Sequence, residues 1–192
     1  MYEAKNFDHL LGLQGFSEPL MKNHFTLYQG YVKNTNGLID LLPKFQPGTT
    51  EFSELHRRFG WEWNGMRLHE YYFDRMKKEG GSLATDSRLA IEIKNQFGSF
   101  DHWMKDFKGV GAMRGIGWTI LYYDVLSKRL FNVWIHEHDV AHLSGAVPLL
   151  VMDVFEHAFM LDYGLKRIDY IESYFNAIDW DKVAQQFETV TK

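Results

Sequence analysis

The run from Leu149 to Met152 constrains this chain most, because it ends at once in a carboxylate, Asp153. A short apolar run of this kind reads as a buried strand. Burying an ionised carboxylate at its end is costly unless cations or hydrogen bonds compensate it. His157 follows four residues later, one helical turn on, so its imidazole can point at the same place. One anionic oxygen and one neutral nitrogen are ligands suited to a single transition metal. The other reading is a helix-capping aspartate followed by a core histidine.

The rest of the chain changes character near Gly80. Ser17 can cap a helix with Pro19 in its first turn, running to about Leu42, where Pro43 and Pro47-Gly48 stop it. A second helix is predicted over roughly Glu51 to Lys78, bent near Gly60 and ending before Gly80-Gly81. Two long helices joined by a Pro/Gly turn form a helical hairpin. Beyond it, Thr85-Asp86 can cap a helix carrying Leu89, Ile91, Ile93 and Phe97, and Gly98-Ser99 opens another over Phe100 to Lys108. A glycine-rich link over Gly109 to Gly117 leads to strands at Trp118 to Val125 and Leu130 to Ile135. The Pro148 strand and two short helices finish the chain. The predicted class is α+β: an N-terminal long helical hairpin, then an α/β half with a small antiparallel sheet of about three strands. The expected domains are 1–81 and 82–192.

Composition narrows the chemistry. Net charge is −4, so no global basic field invites nucleic acid or an anionic membrane. There is no cysteine, which excludes disulfides, zinc–thiolate sites and iron–sulfur clusters. The opening MYEAKNFDHLLGLQGF lacks the basic start and apolar core of a signal peptide. No apolar run approaches the ~20 residues that span a bilayer. A soluble, cytoplasmic protein is expected.

Nine histidines leave a choice of ligands. On the first helix, Tyr28 lies one turn after His24, and Tyr31 falls about 20° from it in projection. One helix face thus offers an imidazole and two phenols. His69 lies in the second helix. His136, Glu137, His138, Asp139 and His142 form a rival group. His136 and His138 would share one strand face by the two-residue period, a candidate zinc pair. A solvated strand end and loop is the other reading of His136 and His142.

The phrase Asp153-Val154-Phe155-Glu156-His157-Ala158-Phe159, with Leu161-Asp162-Tyr163 and Arg167-Ile168-Asp169-Tyr170, closely resembles the C-terminal signature of the iron/manganese superoxide dismutases. His24-Phe25-Thr26-Leu27-Tyr28-Gln29-Gly30-Tyr31-Val32 resembles their first-helix motif, and Gly115-Ile116-Gly117-Trp118 their Gly-x-Gly-Trp. Trp63-Asn64-Gly65, with Asn64 five residues before His69, is a looser likeness to the second-ligand segment. The likeness covers roughly residues 17 to 187.

That resemblance implies one iron or manganese ion per subunit, held by His24, His69, Asp153 and His157. It implies ping-pong redox cycling that dismutes superoxide to dioxygen and hydrogen peroxide, an antioxidant activity. Tyr31 would gate the site, with a phenol made easier to ionise by the nearby positive charge. His138 would hydrogen-bond the solvent at the metal, and Arg167 would steer the anionic substrate. A homodimer or homotetramer would form through Glu156 and His157. The chain also departs from the family. The usual ligand-to-tyrosine spacing is one residue longer and would land on Asn23. Ile120 and Phe155 stand where the family has tryptophan, and Met160 where many members have an interface tyrosine. Gly65 resembles the manganese-type branch, whereas a histidine at 138 occurs with either metal. Two other readings remain: a structural or interaction protein that kept the fold and lost the redox activity, and a di-iron bundle. The last needs paired Glu-x-x-His motifs, which are absent.

Overall fold

Each of the first four helices begins where a hydroxyl side chain accepts from an otherwise orphaned backbone amide. The computed structural model describes residues 1–192. Ser17 accepts from Leu20 and opens α1 (Glu18–Leu41), and Thr49 accepts from Phe52 and opens α2 (Thr50–Asp74). Ser87 caps α3 (Arg88–Phe97) through Ala90, and Ser99 caps α4 (Phe100–Gly111) through His102.

Several of these boundaries differ from the sequence expectation, for physical reasons. No break interrupts α2 at Gly60, but the helix stops at Asp74 rather than Lys78. The residues after it are taken by the C-terminal segment: Lys77 N–H donates to Ala177 O and Asp179 N–H to Arg75 O, both at 2.8 Å. Gly80 passes so close to the Asn176 carbonyl that a Cβ would collide with it. Thr85-Asp86 lies in a turn, and Ser87 provides the cap instead. Ile91 is 49% exposed, so α3 buries only Leu89 and Ile93. The expected glycine link begins late, because α4 continues to Gly111.

The sheet has three antiparallel strands in the order β2-β1-β3, formed by β1 (Gly117–Asp124), β2 (Arg129–His136) and β3 (Val147–Asp153). Central β1 is buried along nearly its whole length. Gly117 makes its close pairing feasible: φ is +145°, and a Cβ there would run into the Ile135 carbonyl. In the β1–β3 register Trp118 stands opposite Asp153. The chain does not continue from Asp153 as an α-helical turn. Phe155 N–H donates to Asp153 Oδ1 at 2.8 Å, and a 3-10 turn over Glu156–Ala158 carries His157. Then follow α5 (Met160–Tyr163), α6 (Arg167–Ala177) and α7 (Trp180–Val190).

One apolar cluster, from Phe7 to Phe187, runs through the helical hairpin and the sheet alike. Helix α1 packs on α2, and α2 packs on β3, which sets two helix faces against the end of one strand. No helix is long and apolar enough to cross a membrane. A second tie fixes the start of α1: Asp162 accepts from Ser17 N–H at 2.7 Å and from Ser17 Oγ–H at 2.6 Å. This joins the cap of the helix bearing His24 to the segment just after His157. Asp162→Ala removes both acceptors, and stability should fall by about 1–2 kcal/mol. Chemical denaturation measures it; a loss of no more than a few tenths would show that the tie is dispensable.

Candidate metal centre

Four side chains from four different elements meet at the end of β3. His24 comes from α1, His69 from α2, Asp153 from the last position of β3, and His157 from the 3-10 turn. Their ligand-type atoms all lie within 4.8 Å of one another. Asp153 Oδ2 is the hub, 3.1 Å from His24 Nε2, 3.1 Å from His157 Nε2 and 3.5 Å from His69 Nε2. Asp153 and His69 are fully buried and His24 nearly so, while the His157 side chain keeps 28% of its exposure. Asn23, the other candidate on α1, is exposed.

The protonation pattern follows from burial and hydrogen bonds. Burial holds the His24 and His69 imidazoles below their ordinary value, so both are neutral near pH 7. Burial works against the Asp153 carboxylate too, but His157 and His24 outweigh it and hold the group well below the usual carboxylate range. His69 Nδ1–H donates to the Gly65 carbonyl at 2.6 Å, which leaves the lone pair of the neutral ring on Nε2. That nitrogen is buried, faces the cluster and has no hydrogen-bond partner. An orphaned lone pair, two further imidazole nitrogens and one anionic oxygen form a donor set that fits a single divalent or trivalent transition metal.

A second group flanks the first. Tyr31 stacks on the His69 ring with centroids 5.2 Å apart, and its hydroxyl is 2.8 Å from His138 Nε2. Trp118 Nε1–H donates to His138 Nδ1 at 3.0 Å. Burial lowers the His138 pKa to about 4, so the ring is neutral and its proton sits on Nε2. Nε2–H therefore donates to the Tyr31 oxygen, and the Tyr31 proton remains free to point elsewhere. Burial, with Asp153 and Glu62 adding to it, pushes the Tyr31 phenol above its ordinary value. The charge of a bound metal ion would act in the opposite direction, toward easier ionisation. Tyr28 does not join the group: it donates to Glu70 at 3.0 Å and accepts from Lys5 N–H at 3.0 Å.

Other expectations fall out differently. β2 ends at His136, and Glu137 turns the chain with φ +49°, so His136 and His138 do not share a face. His136 is exposed beside Glu137, whereas His138 is fully buried, and no zinc pair forms. Arg167 makes no ion pair; its guanidinium donates to Met113 O at 2.6 Å and Gly115 O at 2.7 Å. Gly65 turns out to matter for space. A Cβ there would stand 2.7 Å from the Tyr31 ring, so Tyr31 occupies the room a larger residue would need. Trp61 escaped the sequence reading. It packs 4.5 Å from His138 and 5.5 Å from Tyr31, donates to Glu137 at 2.9 Å, and carries Arg58 over its ring. The aromatic-rich phrase Trp61-Glu62-Trp63 was its one available signal.

Comparison with known proteins bears on this arrangement. The profile of the iron/manganese superoxide dismutase C-terminal domain matches residues 85–186. A protein named as an iron superoxide dismutase from Cupriavidus metallidurans is 34% identical over 187 residues, 94% of this chain and 92% of its own length. One named as a manganese superoxide dismutase from Haloarcula marismortui is 33% identical over 168 residues, 86% of this chain and 82% of its own. An iron enzyme by name from Aquifex pyrophilus is 34% identical over 196 residues, 96% and 91% of the two chains.

The buried imidazoles predict how the metal-free protein responds to acid. Folded, His24, His69 and His138 titrate below the 6.5 of an unperturbed histidine, so below that pH the unfolded chain binds more protons. Stability should therefore fall as pH drops through 6.5 and keep falling toward about 4, where His138 titrates. The Asp153 contribution, present above its unfolded value of 3.8, is lost further into acid. Denaturation midpoints of metal-free protein should be lower at about pH 5 than at about pH 7.5, and His138→Gln should flatten the slope. Equal midpoints would contradict the neutral, buried imidazoles.

Proposed function

The chain belongs to the iron/manganese superoxide dismutase family, and on that premise we propose that His24, His69, Asp153 and His157 hold its metal ion. The protein is a superoxide dismutase, converting superoxide to dioxygen and hydrogen peroxide with one iron or manganese ion. The observation that carries the ligand assignment is the convergence of four donor atoms within 4.8 Å, including the orphaned His69 Nε2. Bound there, iron or manganese supplies one-electron chemistry in both directions, oxidising one superoxide and reducing the next.

The side chains do the rest. Three neutral imidazoles and one carboxylate bring a single negative charge, leaving the site net positive and attractive to an anion. Two superoxide ions and two protons give one dioxygen and one hydrogen peroxide, so protons must be delivered as the second electron arrives. Tyr31 suits that task, because its oxygen already accepts from His138 Nε2–H and its own proton is free to donate. Trp118 and Phe155 line the His69 and His157 rings with centroids 4.9 and 5.1 Å away, which excludes bulk water from that side. Arg167 ties the segment before β1 to α6 while keeping its charge, and in this reading it steers the substrate.

In the same reading the protein is a homodimer or homotetramer acting as a cytoplasmic antioxidant. An apolar groove beside Glu156 supports the assembly: Met113, Met160, Leu165 and Ile168 are 48%, 41%, 90% and 64% exposed around it. Glu156 adjoins His157, the one donor with open surface. Domains 1–81 and 82–192 would then each supply two ligands. The scaffold alternative gains nothing from the site, since every donor type is present and converging.

Reconstitution with iron and with manganese separately, followed by metal analysis and a superoxide assay, tests the reading. At least one form should bind one ion per chain and be active, and Asp153→Ala should abolish binding. Tyr31→Phe should keep metal and fold but slow turnover at high superoxide by roughly tenfold or more. No bound metal in either form would favour the scaffold, and unchanged Tyr31→Phe turnover would remove the gating role. For the assembly, Glu156→Ala should weaken both metal retention and self-association in sedimentation. An active monomer at nanomolar concentration would refute the interface.

A further inference from the structure

His138 sits at the tip of a loop that would not hold its shape unaided. His136 and Val140 exchange both backbone hydrogen bonds, at 3.1 and 3.3 Å, closing a loop of residues 137–139. Glu137 and Ala141 lie in the left-handed region with φ +49° and +81°, conformations that are strained for a non-glycine residue. On the N-terminal side Glu137 is anchored twice, by its N–H to the Ile116 carbonyl at 3.2 Å and by its carboxylate to Trp61 Nε1–H. On the C-terminal side the anchor is His142. Its Nε2–H donates to the His138 carbonyl at 2.8 Å, and its Nδ1 is paired with the Tyr122 hydroxyl at 2.7 Å. Tyr122 is 3% exposed and stands on β1 where the register against β3 shifts, a place where a bulge re-aims side chains.

We infer that His142 is a positioning residue: clamped by Tyr122, it holds the His138 backbone so that the His138 ring stays between Trp118 and Tyr31. The chain Tyr122–His142–His138–Tyr31 thus runs from the central strand to the hydroxyl beside the candidate metal site, through both ring nitrogens of His142, the His138 carbonyl and His138 Nε2, while Trp118 holds His138 Nδ1. The inference rests on the proposed role of His138 and Tyr31 in superoxide dismutation. It also makes a claim about the loop alone, which can be measured without any activity.

Two measurements on the metal-loaded protein test it. In hydrogen exchange, His142→Leu should speed exchange of the Val140 amide while leaving β1 and β3 amides protected. His142→Gln, whose amide N–H can still reach the His138 carbonyl, should restore part of the protection. In kinetics, His142→Leu should lower turnover about tenfold at unchanged metal content. That loss should disappear in a His138→Ala background, because His142 acts only through His138. Tyr122→Phe keeps the ring and removes one hydrogen bond; should His142→Leu misfold, it serves in its place with a smaller loss of the same kind. Additive losses in the double variant, or unaltered Val140 exchange, overturn the inference. A wild-type protein that binds metal but does not dismute superoxide would remove the functional reading while leaving the exchange result to judge the clamp.

Discussion

Everything in this structure that concerns function depends on keeping one carboxylate charged where water cannot reach it. Asp153 is fully buried at the end of β3, and one of its oxygens faces three imidazole nitrogens at 3.1 to 3.5 Å. In a low-dielectric interior such an anion is tolerated only with compensation. The fold supplies it from both sides: the Phe155 amide takes one oxygen, and the histidines surround the other. The backbone of the same residue is fixed as well, since Tyr170 donates to its carbonyl at 2.6 Å and is itself 3.1 Å from the Tyr72 hydroxyl. Helix packing, strand register and the tyrosine layer behind the strand all serve to keep this one group in place.

Much of that was legible in the sequence because it is local. Ser17, Pro19 and the Pro/Gly stops mark α1 by capping chemistry alone, and the Leu149–Asp153 run announces a buried strand with a charge at its end. The four converging donors were legible for a different reason, through phrases around Asp153 and His24 that resemble a known family. The misses are the non-local ones. The end of α2 is not legible because residues 75–77 are taken by a segment a hundred positions later, and nothing in their own composition says so. The His136–His138 pairing failed because a positive φ at Glu137 breaks the strand period, and a glutamate gives no warning of it. Trp61 and His142 were invisible as positioning residues, since their partners, Glu137, Tyr122 and the His138 backbone, are reached only in three dimensions.

Glycines carry another part of the design, by omission. Gly65 leaves the space that the Tyr31 ring fills, and Gly117 lets β1 approach the end of β2. In both cases the absent side chain sets the position of a neighbour that matters to the site. The consequence is that helix propensity is sacrificed locally for geometry, at roughly 1 kcal/mol for a mid-helix glycine such as Gly65.

The spread of the donors along the chain has a consequence for synthesis. His24 and Asp153 are separated by 129 positions, and His157 follows Asp153 by four. Closing a loop of that length is slow relative to local helix formation. While a ribosome is still making the chain, the hairpin can form and display His24 and His69, but the carboxylate and the last imidazole do not yet exist. A two-imidazole fragment lacks the anionic oxygen that hard, oxygen-seeking cations require and has no closed coordination shell to trap a soft one. The full donor set can therefore converge only after residue 157 has emerged and β3 has docked on the hairpin, which makes the cluster one of the last features of the fold to assemble.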